Sequence, residues 1–327
     1  MKAFTYHTAH ALDQFSLALQ TVAQPALQPT DLRVQVKAFS FNPVDYKIRQ
    51  SRSAADGVPV ILGWDAAGIV EAVGANVTGF APGDAVYYAG EFNRSGSYAQ
   101  QQLVDYRLAA HKPASLDFAD AAALPLTAVT AYEALFERNI TYTADSHVLV
   151  IGGAGGVGSM AVQWLKALTP ATVIATATRP DTIAWVKQMG ADHVIGRDLP
   201  SELARLGIPA LDVIFSTTHT KDYLSVIPQL LRPFGHLAVI DDPETLDIRP
   251  FKTKALSVHW EYMFSKAMYG YMPETQGATL AQLATLVDAA RIKTTRTKTL
   301  SATVENLRLA HETLEHGTAF GKWVMAW

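Results

Sequence analysis

The run Gly153-Ala154-Gly155-Gly156-Val157-Gly158 constrains the fold of this chain more than any other segment. It matches G-x-G-x-x-G, directly follows the apolar residues 148–151, and opens a helical pattern with Ala161, Trp164, Leu165 and Leu168 on one face. In that setting the first glycine permits a tight turn, the second lets backbone approach a pyrophosphate, and the third lets helix and strand pack closely. The unpaired N–H groups and the dipole of a helix start favour an anion. A merely flexible glycine loop would need neither the strand before it nor the helix after it. Gly153, Gly155, Gly156, Val157 and Gly158 are therefore expected to hold a dinucleotide.

The strand–helix theme repeats downstream, with short β-rich runs at 172–176, 193–195, 211–215 and 236–240 and helical segments between them. Such alternation, with continuous apolar strands, predicts a parallel sheet covered on both faces. Residues 1–117 read differently. Leu32, Val34 and Val36 alternate with polar neighbours, 66–73 is a buried strand-like run, and Ala81-Pro82-Gly83-Asp84 is turn chemistry ahead of a strand at 85–88. A helix is expected over 121–138 after Pro125, others near 280–290 and 304–316, and a closing strand at 322–327. The resulting expectation is an α/β chain in which a doubly wound parallel-sheet domain, 125–260, is inserted into a β-rich domain built from 1–124 and 261–327.

Two compositional facts narrow the function. The 327 residues include no cysteine, which excludes disulfides, cysteine-ligated zinc, iron–sulfur clusters and thiol nucleophiles. Lys plus Arg number 27 against 30 Asp plus Glu, a net charge of −3 that gives no bulk attraction for nucleic acid or an anionic membrane. The start MKAFTYHTAH lacks the apolar core of a secretory signal, and the uncharged stretch 148–164 holds five glycines, which suits a turn and not a membrane helix. A soluble cytoplasmic protein is expected.

The end of the second strand selects the cofactor. A site for NAD carries an acidic residue there for the ribose 2′-hydroxyl, whereas a 2′-phosphate wants a small residue and a cation. The chain reads Thr176-Ala177-Thr178-Arg179-Pro180, with no carboxylate at the tip, so Thr178 and Arg179 point to NADP. Ligands of such sheets lie at the carboxyl ends of the strands. Thr217, Thr218 and His219 after the fourth strand, and Ile240, Asp241 and Asp242 after the fifth, are candidates for the ribose and adenosine, with a plain turn the alternative for the aspartates.

Asn42-Pro-Val-Asp45-Tyr46-Lys-Ile-Arg49, Gly63-Trp-Asp-Ala-Ala-Gly68, Phe80-Ala-Pro-Gly-Asp84, Ala122-Ala-Leu-Pro-Leu-Thr127-Ala-Val-Thr-Ala131-Tyr132 and the glycine loop occur in one order along the chain. With them the sequence resembles the medium-chain dehydrogenase/reductase superfamily, and within it the quinone oxidoreductase branch. Ile240-Asp-Asp-Pro243 and His259-Trp-Glu-Tyr-Met-Phe264 add a likeness to the subfamily labelled zinc-type alcohol dehydrogenase-like. The resemblance implies a GroES-like β-rich catalytic domain beside a Rossmann domain. At the positions where zinc-dependent relatives carry ligands this chain has Asn42, Trp64-Asp65 and Leu124-Pro125, too few donors for a tetrahedral site. His311 and His316, on a helix expected at the surface, and His7 with His10 offer no ligand spacing. No metal is expected, and Asp65 is expected to pair with a buried cation.

The chemistry implied is NADPH-dependent reduction of quinones or α,β-unsaturated carbonyls, small molecules in which conjugation carries charge to oxygen as hydride arrives. Asn42 and Asp45 stand where the superfamily contacts substrate or nicotinamide. Tyr46 can donate to the carbonyl oxygen or be a packing aromatic, and Thr127 can approach the nicotinamide or cap its helix. Tyr88 borders the pocket or belongs to the core. Lys322 and Phe264 carry over from closing segments, Lys322 on the cofactor side. Residues 259–264 wall the pocket or form a subunit contact. Zinc-dependent alcohol oxidation and an NADPH-binding protein with little turnover are the alternatives. A homodimer joined through the edge near 255–262 is implied, with a tetramer possible, and neither a nucleic acid nor a membrane is an expected partner.

Overall fold

The computed structural model describes residues 1–327, which divide into two units. One unit comprises 127–263 with 291–293; the other comprises 1–126, 264–290 and 294–327.

The 127–263 unit is built on six strands: β1 (His147–Ile151), β2 (Thr172–Thr176), β3 (His193–Ile195), β4 (Leu211–Ser216), β5 (Leu231–Val239) and β6 (Ser257–Trp260). They lie in the order β3-β2-β1-β4-β5-β6, and every pairing is parallel. β1 and β4 are almost wholly buried, as strands covered on both faces must be, and Leu149, Ile151, Ile174, Ile214 and Leu237 belong to one continuous core with Leu199 and Leu203 of the Leu199–Arg205 helix. The strand order reverses between β1 and β4, which places a crevice at their carboxyl ends.

The other unit centres on the strand Asp31–Ser40, whose alternating Leu32, Val34 and Val36 are buried. It pairs antiparallel with Asp65–Val73, with Gln101–Asp105 and with the closing strand Lys322–Ala326 in a seven-stranded sheet. The closing strand runs parallel to Arg296–Ser301, and Lys2–Thr5 pairs with Ala18–Thr21 in a separate ribbon.

Three elements differ from the sequence expectation. The helix expected over 121–138 is two helices, Phe118–Ala122 and Pro125–Phe136, because Pro125 starts a helix well and continues one badly. β5 begins at Leu231, five residues before the apolar run 236–240, and includes Pro233 and Phe234, the latter at φ 61°. The helix Val304–Glu315 is not a bare surface helix. Its inner face buries Leu307, Ala310 and His311, and His311 is fully enclosed. No helix is long and apolar enough to cross a membrane.

Candidate functional site

β1 leads into the glycine turn and then the helix Gly156–Leu168. Two of the glycines are required by the chain's own packing. A Cβ on Gly158 would stand 2.2 Å from the Gly152 carbonyl oxygen, and one on Gly153 would stand 2.7 Å from the Ala175 Cβ. Gly155 is different. It is exposed, has an ordinary φ of −67°, and a Cβ there would meet only the Gly152 oxygen at 3.5 Å. Nothing inside the protein demands glycine at 155, so its bareness leaves room for something from outside.

The helix start is suited to an anion. Gly155 caps it without a side-chain hydrogen bond and the first turn holds no acidic residue. Ser159 is the first residue to bond back, N–H to Gly155 O at 2.8 Å, which leaves the amides of Gly156, Val157 and Gly158 outside the helical ladder. The turn is fixed from β2, since Thr176 accepts the Gly152 N–H on Oγ1 at 2.9 Å and the Gly153 N–H on its carbonyl at 3.2 Å.

The loops after β4 and β5 flank this start. Thr217 binds Ile151 O through both its N–H at 3.1 Å and its hydroxyl at 2.8 Å, beside Gly152. His219 adopts the left-handed region, is exposed, and sits 2.7 Å from Thr218 Oγ1 through Nδ1. Asp241 is committed to Thr220, accepting its N–H at 2.9 Å and its hydroxyl, so it ties the two loops together. Ile240 donates to Ser216 O at 3.3 Å. Thr178 and Arg179 are exposed at the tip of β2, Arg179 lying 3.4 Å from Asp181.

In the other unit, Asn42, Asp65 and Lys322 meet although 257 residues separate the last two. Asp65 Oδ2 accepts from Ser40 Oγ at 2.8 Å, Asn42 Nδ2 at 2.7 Å and Lys322 Nζ at 2.9 Å, and Oδ1 accepts from Leu126 N at 2.6 Å. Lys322 Nζ also donates to Phe41 O at 2.7 Å and Asn42 Oδ1 at 2.6 Å. All of these side chains are buried, and a buried ion pair survives only when its remaining donors and acceptors are satisfied, as they are here. The arrangement also fixes the Asn42 amide, oxygen toward the ammonium and nitrogen toward the carboxylate. Lys322, expected on the cofactor side, spends its three protons inside this cluster. Asp65 has the buried cation the sequence called for.

Asp45 lies one helical turn into Pro43–Ser51 and is fully buried. Its Oδ2 accepts the Asn42 N–H at 2.7 Å, while Oδ1 has no hydrogen bond of ordinary length. Burial pushes this carboxyl up to about 7, against the opposing pull of the Asn42 amide and the Lys322 charge. Tyr46 is half-buried on the same helix. Thr127 is buried in the first turn of Pro125–Phe136. Tyr88 belongs to the core, its hydroxyl enclosed without a partner, and Phe264 packs on Trp64 and Phe92. Within 259–264, His259 and Glu261 face inward while Trp260 and Tyr262 are 47% and 46% exposed.

Zinc does not fit these residues. The chain has no thiolate to offer, Asp65 is saturated by four donors, and an ammonium already supplies the positive charge beside it. No three His, Asp or Glu side chains gather elsewhere into a metal-holding group.

Residues 28–114 match the alcohol dehydrogenase GroES-like domain, and 156–284 match the zinc-binding dehydrogenase domain. A zinc-type alcohol dehydrogenase-like protein of Staphylococcus aureus is 37% identical over 313 residues, 92% of each chain. A candidate zinc-dependent alcohol dehydrogenase of Rhizobium etli, solved as a crystal structure, superposes with a TM-score of 0.95 at 46% identity, covering 100% of this chain and 98% of that one. An NADPH-dependent alkenal/one oxidoreductase of Arabidopsis thaliana chloroplasts is 35% identical over 204 residues, 60% of this chain and 52% of its own. With its parallel sheet, glycine turn and GroES-like unit, the chain belongs to the medium-chain dehydrogenase/reductase superfamily of oxidoreductases, among the zinc-type alcohol dehydrogenase-like proteins.

Proposed function

We propose that the protein is an NADPH-dependent, zinc-independent reductase of conjugated carbonyl compounds, enones or quinones. The observation that carries this reading is the Lys322–Asp65–Asn42 cluster, which stands where a zinc-dependent relative would need metal ligands. Such a site lacks the Lewis acid that alcohol oxidation uses to stabilise an alkoxide. A conjugated acceptor needs less, because charge moves to oxygen through its own π-system and a few donors suffice there. The printed activity of the Arabidopsis relative supports the same class.

A bound nicotinamide supplies the hydride. The amides at 156–158 are free to hold the pyrophosphate, and Gly155 leaves it room. Thr178 and Arg179, with no carboxylate nearby at the tip of β2 before Asp181, favour a 2′-phosphate. Thr217, His219 and Ile240 serve the ribose side, and Asp241 holds their two loops together through Thr220. Asn42 presents an amide of fixed orientation, Tyr46 a hydroxyl for the developing enolate oxygen, and Thr127 a place beside the nicotinamide. The assembly proposed is a homodimer through β6, an edge strand paired on one side only and flanked by the exposed Trp260, Tyr262 and Phe234.

The test is oxidation of NADPH and NADH with 9,10-phenanthrenequinone and with a simple enone, with and without chelator. Chelator-insensitive turnover that prefers NADPH is expected. Tight NADPH binding without turnover would replace the reductase by a nucleotide-binding protein, and loss of activity to chelator would overturn the metal-free reading.

A further inference from the structure

Four residues enclosed in the 1–126 unit and its C-terminal helix form a line that the cofactor and substrate assignments do not use. Arg49 follows Asp45 by one turn on Pro43–Ser51, His311 projects from Val304–Glu315, and Tyr98 precedes the strand Gln101–Asp105. Arg49, Tyr98, His311 and Asp45 are all fully buried. Arg49 Nη1 lies 3.3 Å from His311 Nδ1, and His311 Nε2 lies 3.3 Å from Tyr98 Oη. Tyr98 in turn stands beside Asp45 as a hydrogen-bonding neighbour of the carboxyl. At the outer end Arg49 Nη2 binds the partly exposed Glu315, whose other oxygen accepts from Gln50 at 3.1 Å.

Hydrogen-bond capacity sets the direction of this line. A guanidinium only donates, so His311 Nδ1 must accept. The neutral ring then carries its proton on Nε2 and gives it to the Tyr98 oxygen. The Tyr98 hydrogen is left to point away from His311, and the acceptor beside it is Asp45. His311 does not invert the order by ionising, because burial, with the Arg49 and His10 charges, holds it down to about 3. The charged and titratable groups facing Asp45 are Tyr98, Lys322 and Asp65; those facing Tyr98 are Asp45 and Arg49.

We infer that Tyr98 and His311 are positioning residues for the reduction: the hydrogen-bond line from Arg49 through His311 to Tyr98 aims the Tyr98 hydroxyl at Asp45 and governs whether Asp45 carries a proton during turnover. The link to turnover rests on the reductase reading; the line of bonds does not. Its effect is to favour the carboxylate over the carboxylic acid at a site where burial favours the acid.

The variants Y98F, H311Q and H311L test it, followed by the infrared carbonyl stretch of protonated Asp45 across pH, assigned by its loss in D45N. Losing one hydrogen bond to a charged group is expected to raise the proton affinity of Asp45 about tenfold in Y98F and H311L, a shift of about one pH unit. H311Q keeps an acceptor for Arg49 and a donor for Tyr98, and is expected to titrate like the native chain. The pH profile of kcat for NADPH oxidation should move with the infrared midpoint. An unchanged midpoint in folded Y98F overturns the line of bonds. A shifted midpoint with an unmoved activity profile overturns its role in turnover. If the native protein turns over no NADPH, the reductase reading fails while the infrared midpoints still decide the line.

Discussion

Removing the Lys322 ammonium would leave the Asp65 carboxylate buried with three donors and no counter-charge, and would release the Asn42 oxygen. Breaking a buried ion pair from one side typically costs about 3–5 kcal/mol, because the orphaned charge has no solvent to turn to. Lys322→Met should therefore lower the urea midpoint by that amount, and Lys322→Met combined with Asp65→Asn should recover a large part of it. Equal losses in the single and double variants would show that the pair is not coupled. Arg179 belongs to the same scale but to the surface. If it holds the 2′-phosphate, Arg179→Ala should raise KM for NADPH tenfold or more and leave KM for NADH nearly unchanged, since NADH has nothing for the guanidinium to meet; equal effects on both cofactors would remove Arg179 from that role. The need of Asp65 for a cation was legible from its apolar surroundings. That Lys322 answers it was not, because no local spacing reports a contact made across 257 residues.

The glycine turn separates what an element needs for itself from what it needs for a ligand. Gly158→Ala drives a methyl to 2.2 Å from the Gly152 oxygen, backbone that cannot yield without moving helix or strand, so this variant should melt lower and bind NADPH poorly. Gly155→Ala meets nothing nearer than 3.5 Å, so its melting temperature should stay within a degree or two of native while NADPH affinity falls. Isothermal titration beside a thermal melt distinguishes the two, and a Gly155→Ala protein that binds NADPH normally would count against a pyrophosphate at that turn. β1 to β4 were legible because a strand buried on both faces must be apolar throughout, and turn residues bound each one. The start of β5 was hidden, since Arg232-Pro233-Phe234-Gly235 has the composition of a turn, and its pairing with β4 slips between Leu211 and Val213. The break at 123–124 was missed for the opposite reason: alanines on both sides suit a helix, and only Pro125 marks where the second one begins.

At the scale of the whole molecule, stability records which ionisable groups folding has buried, a property no periodicity reveals. His311 sits on a helix whose sequence suggests a solvated face, yet it is enclosed by Phe15, Phe41 and Tyr98. Its folded value near 3 lies below the 6.5 of an unfolded histidine, so between those values only the unfolded chain takes up the proton, and this group makes stability fall as pH falls. Glu261 acts in the other direction. Burial and the neighbouring Glu133 carboxyl push it up to about 8 despite Arg138, whose Nη2 lies 2.9 Å from it, so the folded chain keeps a proton that the unfolded chain releases near 4.5. That term makes stability fall as pH rises from 4.5 to 8 and then level. Asp45, held near 7, adds to it below that value, so the two opposing trends overlap in mildly acid solution and the Glu261 term stands out above pH 6.5. One such group contributes at most about 1.4 kcal/mol per pH unit. Glu261→Gln keeps the hydrogen bonding to Glu133 and removes the titration, so urea midpoints measured at pH 6.5 and 8 should decline less in this variant than in the native chain. An identical decline in both would mean that Glu261 and Glu133 do not share a retained proton, and that the loss with rising pH has its source elsewhere in the fold.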